Sequence, residues 1–263
     1  MGRPMVFCLD HTNGFFATFF IMCNAYIASK KMGSPFYITH SHWSYAYDQG
    51  WHDYFVTLRP PPLLPRLYNP IKVGCDLARF YKPDFPLAEY ITCIRELFVL
   101  KPDLRRRVDA LVATMPPDYI AVFVRRGDKL NEEAHYISFA DIVRLIPHSN
   151  TSTFFIQTDD YGVVEEAART LPLARIVCTV PSTKRGSFHG TRRSPRQIRE
   201  ETEEMLVGLS VCLRSSSCWS DATSNVGRFL KLANPGVHIY PEDFTVNPSY
   251  VMCPAWAIKD PNV

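Results

Sequence analysis

The chain has 263 residues, with 29 lysines and arginines against 26 acidic residues and a net charge of +3. At about 100–200 residues per domain this is one large or two small domains. A composition of 46% hydrophobic and 21% charged residues excludes disordered, collagen-like and low-complexity chains. The mild positive charge does not imply nucleic acid, although it suits a small anionic ligand where the positives cluster. No run of about 18 uncharged apolar residues occurs, so no membrane-spanning helix is expected. The opening Met1-Gly2-Arg3-Pro4-Met5-Val6 resembles neither a secretory signal nor a myristoylation site. The eight cysteines lie mostly in apolar runs without a CxxC pair. They read as reduced, buried thiols of a cytoplasmic protein rather than as disulfides or zinc ligands.

In chain order, Met5 to Leu9 reads as a strand, Thr12-Asn13-Gly14 as a turn and Phe15 to Lys31 as a helix with a basic end. Phe36 to Thr39 is a second strand, which sets up a βαβ rhythm and a parallel sheet. The proline-rich Arg59 to Pro65 is incompatible with a helix interior or a central strand and reads as an extended loop, with a polyproline ligand as the alternative. Helical spacing spans Leu87 to Phe98 and Pro102 to Ala113. Tyr119 to Val124 is a continuous apolar run of the kind buried on both faces of a sheet. Further strands are expected at Thr153–Gln157, Ala174–Thr179 and Val237–Tyr240, and helices at Tyr161–Thr170, Gln197–Leu213 and Thr223–Ala233. The result is two α/β halves that meet near residues 95–118.

In open α/β sheets ligands bind outside the carboxyl ends of strands. After Val124 comes Arg125-Arg126-Gly127-Asp128-Lys129. Two arginines at the end of a buried strand require an anionic partner: a phosphate held by the guanidinium fork, or internal carboxylates such as Asp159 and Asp160. An adhesion role for Arg126-Gly127-Asp128 is the remaining alternative. Thr158-Asp159-Asp160 reads as a helix cap that leaves room for a second role. The basic segment Lys184 to Arg196, with His189 inside it, is either a solvated loop or one that folds over a nucleotide diphosphate. Ser220 to Arg228 opens a helix whose hydroxyls and N–H groups either cap it or hold an anion. The fingerprints of dinucleotide-binding, P-loop, zinc-protease and serine-hydrolase sites are missing.

Four motifs in order, Thr12-Asn13-Gly14, Phe123 to Lys129, Thr158-Asp159-Asp160 and Thr223 to Arg228, resemble those of the GDP-fucose-dependent fucosyltransferase superfamily. That superfamily includes α-1,6-, chitooligosaccharide and protein O-fucosyltransferases. The resemblance implies a GT-B fold, two facing Rossmann-like α/β domains. The acceptor-side domain would span residues 1–100 and the donor-nucleotide domain residues 101–263. It implies an inverting transfer of fucose to a glycan hydroxyl, with no metal and no cofactor beyond the GDP-fucose substrate. By the same likeness Arg125 grips the donor β-phosphate and Arg126 is its more structural neighbour, paired with Asp159 or Asp160. Ser224 and Asn225, with Thr223, form the pyrophosphate-binding helix start, and Asn13 and Gly14 close on the phosphates. Asp160, His189 and Glu204 complete the donor-binding set. Glu133, with Glu132 as rival, corresponds to the base and Lys129 to the lysine of the catalytic motif. Such a base contributes about 10²–10⁴-fold, and each preorganised donor to the leaving diphosphate about 3–4 kcal/mol.

Two positions depart from the pattern. Phe123 stands where the family often has histidine, and of Glu203, Glu204 and Met205 it is Met205 that falls nearest the slot of an acid that recognises guanine, with Glu204 able to shift in. The competing readings are a transferase using another nucleotide sugar, a non-catalytic sugar-nucleotide or glycan-binding module, and an α/β nucleotide hydrolase. The aromatic segment Trp43 to Tyr54 is expected as acceptor wall or core cluster.

Overall fold

Short apolar runs become the interior strands of two parallel sheets. The computed structural model describes residues 3–10, 14–61, 71–74, 85–126, 138–186, 193–221 and 224–240. In it β1 (Met5–Leu9) is followed by α1 (Phe15–Lys31), β2 (Phe36–His40), a 3-10 turn (Gly50–Asp53), β3 (Ile71–Gly74) and α2 (Leu87–Leu97). β1 lies between β2 and β3, parallel to both, with Phe7 opposite Ile38 and Val73. Met5, Phe7 and Leu9 are each at most 1% exposed, which is why this apolar strand takes the centre.

Helix α1 is buried around almost its whole circumference, so it lacks the one-sided stripe of a surface helix. Trp51 stacks on both Phe19 and Phe55, with ring centroids 5.9 and 4.0 Å apart. The segment Trp43 to Tyr54 thus contributes mainly to the core, since Trp43, Trp51 and Tyr54 are all buried. The buried Asn24 of α1 accepts a hydrogen bond from the hydroxyl of Tyr90 on α2, which removes the desolvation cost of an unpaired amide.

The second sheet is built from β4 (Ile120–Val124), β5 (Thr153–Thr158), β6 (Arg175–Cys178), β7 (Ser217–Asp221) and β8 (His238–Tyr240). The helices that accompany these strands along the chain are α3 (Pro102–Val112), α4 (Phe139–Val143), α5 (Gly162–Thr170), α6 (Pro195–Cys212) and α7 (Asn225–Ala233). All pairings are parallel and the order is β6-β5-β4-β7-β8. Every residue of β4 and β5 is buried, and Val122, Val124, Phe154 and Ile156 form a core with Phe139, Ile142, Val163 and Trp219. Strands covered on both faces read as unbroken apolar runs, and β4 does so.

The chain divides into two compact units. One runs to Pro102 and includes the segment that ends at Thr202; the other begins at Asp103 and resumes at Glu203. Three elements have no counterpart in the sequence reading: β3, the short α4 and β7. β7 is an interior strand, paired on both edges, yet it reads Ser-Cys-Trp-Ser-Asp. Its burial comes from its neighbours rather than from its own hydrophobicity. The six described cysteines are free thiols. Among the described residues no helix is long and apolar enough to cross a membrane, and no cluster of three metal-ligating side chains occurs.

Candidate functional site

The second sheet has a topological switch point. From β4 the chain builds β5 and then β6 along one edge, then returns through α6 to build β7 and β8 along the other. Taken in the order of its own strands this is 3-2-1-4-5, the doubly wound pattern whose ligand crevice lies at the carboxyl ends beside the first strand. The register sets Val124 opposite Thr158 and Phe123 opposite Ser220. One rim therefore carries Arg125 and Arg126 after β4, Asp159 and Asp160 after β5, and Ser224 and Asn225 after β7.

The two arginines have different partners. Arg125 Nη1 lies 3.0 Å from Asp159 Oδ2, with side chains only 15% and 10% exposed. Asp159 Oδ1 also accepts the backbone N–H of Arg126 at 2.8 Å. The Arg126 guanidinium instead donates to Glu166 Oε2 of α5 at 2.7 Å. Glu166 Oε1 accepts the Phe139 N–H that opens α4, at 2.9 Å. This corrects the expected pairing of the Arg126 side chain with Asp159 or Asp160. Asp160 is occupied at the start of α5, where its Oδ1 accepts the Gly162 N–H at 2.8 Å, as a turn-forming aspartate does. Arg126 ties the end of β4 to α4 and α5, while Arg125 is paired at the rim with an aspartate that also fixes the following backbone.

Ser224 caps α7, its Oγ accepting the Gly227 N–H at 3.1 Å. Asn225 Oδ1 accepts from the buried Arg228 at 3.1 Å. Capping and anion binding are compatible, because the Ser224 hydroxyl keeps a proton to donate and a helix start carries partial positive charge. Gly14 precedes α1 with φ −53°, a conformation open to any residue, so its backbone does not require glycine.

Glu204 lies in a network absent from the sequence reading. Its Oε2 accepts from Lys184 Nζ at 2.7 Å, and its Oε1 accepts from Thr179 Oγ1 at 2.9 Å and Gln157 Nε2 at 3.1 Å. Thr179 also reaches Gln157 Oε1 at 3.1 Å. These residues are 20 to 47 positions apart from Glu204, so no local pattern links them; a glutamine inside an apolar strand was the one available signal. Burial raises the nearby Cys178 thiol above its ordinary range, and the Glu204 charge adds to this, so it stays a protonated, unreactive thiol. A Cβ on Gly208 of α6 would stand 1.8 Å from Gln157 Oε1, so the amide can lie there only against glycine. Gly208→Ala should gain about 1 kcal/mol of helix propensity and lose more through overpacking and the displaced amide. We expect a net loss of about 1–2 kcal/mol in urea denaturation; equal or greater stability would contradict this packing.

Asn13, Lys129, Glu132, Glu133, His189 and Thr223 lie outside the described residues. Phe123 is 4% exposed within β4.

Strand order and rim together define a Rossmann-type α/β protein with a switch point beside β4. Solved structures share this fold. NodZ alpha-1,6-fucosyltransferase soaked with GDP-fucose matches at 15% identity over 89% of this chain and 94% of its own, with a TM-score of 0.61. Fucosyltransferase NodZ from Bradyrhizobium matches at 14% identity over 91% and 97%, also at 0.61. A variant of Arabidopsis thaliana FUT1 in complex with GDP matches at 9% identity over 89% and 69%, at 0.55. No family model matches the sequence, and no curated protein gives a significant match.

Proposed function

We propose that the chain is a metal-independent, inverting glycosyltransferase of the fucosyltransferase superfamily that moves fucose from GDP-fucose to a glycan hydroxyl. The observation that carries this reading is Arg125, held by Asp159 at the switch point of a fold shared with enzymes solved with GDP or GDP-fucose. In this reading the molecule is a GT-B enzyme, with the acceptor side in residues 1–100 and the donor side in 101–263. The acceptor hydroxyl gives its proton to Glu133, or to Glu132, as it attacks the anomeric carbon from the face opposite GDP. The C–O bond to the diphosphate breaks, and the charge that collects there is met by Arg125, Lys129 and the hydroxyl and N–H groups at Thr223, Ser224 and Asn225. A guanidinium has five N–H donors, so a carboxylate and a phosphate can share it. The same reading assigns Asn13, Gly14 and His189 to the diphosphate.

A second reading keeps the chemistry and changes the nucleotide. It is favoured by Glu204, whose oxygens already receive donors from Lys184, Thr179 and Gln157, a state poorly suited to reading guanine. One screen separates the two. Melting with a panel of nucleoside diphosphates and nucleotide sugars should show stabilisation by GDP and GDP-fucose, since a ligand at a hundredfold excess over Kd adds about 2.7 kcal/mol, a rise of several degrees. Stabilisation by a different base alone selects the second reading, and the lack of a shift with every nucleotide tested refutes both.

A further inference from the structure

The first unit carries a pocket that the donor chemistry leaves unused. It lies at the carboxyl end of β2 and has a volume of about 500 Å³, within the roughly 300–1,000 Å³ typical of small-molecule sites. His40 ends β2; Asp48, Gln49, Trp51 and His52 come from the loop that follows, and Pro60 faces them from the next segment.

The walls are fixed before any ligand arrives. The carboxylate of Asp53, 3% exposed, accepts the backbone N–H groups of Tyr47, Asp48 and Gln49 at 2.9, 3.1 and 2.7 Å. Gly50 has φ +63°, and a Cβ there would meet the His40 ring at 2.5 Å. The loop therefore closes onto His40 only because residue 50 has no side chain. Trp51 is pinned by its indole N–H, which donates to the Thr57 carbonyl at 3.1 Å. On this frame Asp48 and Gln49 remain exposed.

The chemistry of the lining selects the ligand. A carboxylate, a carboxamide, the Thr39 hydroxyl and the His40 imidazole can each bond hydroxyl groups, while Ile38, Pro60 and Pro61 offer apolar surface to ring C–H groups. The described lining residues include no lysine or arginine, and Asp48 would repel an anion. We infer that this pocket is a saccharide subsite for a neutral pyranose unit of the acceptor, an assignment that rests on the glycosyl-transfer reading above.

The test is saturation-transfer NMR on the full chain without donor. Cellobiose, lactose and N,N′-diacetylchitobiose serve as neutral probes, and a glucuronate-terminated disaccharide as the anionic one. At least one neutral disaccharide should bind at millimolar concentration and the anionic one should not. The double variant Asp48→Ala with Gln49→Ala should weaken binding about tenfold or more, as loss of a charged hydrogen-bond partner does, with the melting temperature and the GDP-induced shift unchanged. If no neutral disaccharide binds, or if the double variant binds as tightly as the parent, the subsite is refuted even where GDP still stabilises the protein. Should a neutral disaccharide bind through Asp48 and Gln49 while no nucleotide binds at all, the subsite stands and the donor reading falls.

Discussion

Arg125→Ala should lower fucosyl transfer by about 10²–10³-fold, the usual loss when one preorganised donor to a developing charge is removed. The guanidinium sits at the switch point, and the diphosphate gains its charge as the sugar bond breaks, so the loss should appear in kcat as well as in nucleotide affinity. Arg125→Lys should recover only part of the rate, because a point charge cannot reproduce the planar fork. The fold should survive, since Asp159 keeps the Arg126 backbone N–H at 2.8 Å. Single-turnover rates with GDP-fucose, read beside melting temperatures, decide the matter. A folded Arg125→Ala protein with parental turnover and GDP affinity would end the phosphate assignment.

Glu166→Ala should destabilise the protein by about 2–4 kcal/mol. Arg126 is 7% exposed, and removing one partner of a buried ion pair typically costs about 3–5 kcal/mol. The lower range allows for Glu166, whose side chain is 19% exposed. The same substitution removes the acceptor for the Phe139 N–H at the start of α4. Glu166→Gln keeps that acceptor and should cost less. Urea denaturation of both variants measures the difference. Near-parental stability of Glu166→Ala would mean that Arg126 is anchored by something other than this pair.

The parts legible in the sequence were those whose burial is written in their own residues. β4 and β1 are unbroken apolar runs, and α5 and α7 show clear one-sided spacing. β7 was not legible because Ser217 to Asp221 is polar; its place between β4 and β8 follows from pairing across the sheet, not from its composition. The placement of arginine and aspartate at strand ends, and of serine at a helix start, could be read from order along the chain. Their partners could not. Glu166 reaches Arg126 from one turn inside α5, 40 positions away, and Lys184 reaches Glu204 across 20. Such pairings depend on how helices lie on the sheet, which a periodic pattern constrains only loosely.

The aspartate beside Arg125 acts as a stand-in for the anion that the rim would later receive. It immobilises the guanidinium as the chain folds, so the side-chain entropy of an arginine, about 2 kcal/mol when fully lost, is surrendered then and not at the moment of encounter. In the proposed reading an incoming diphosphate would meet an arm already extended, and would compete with a resident carboxylate instead of with bulk water.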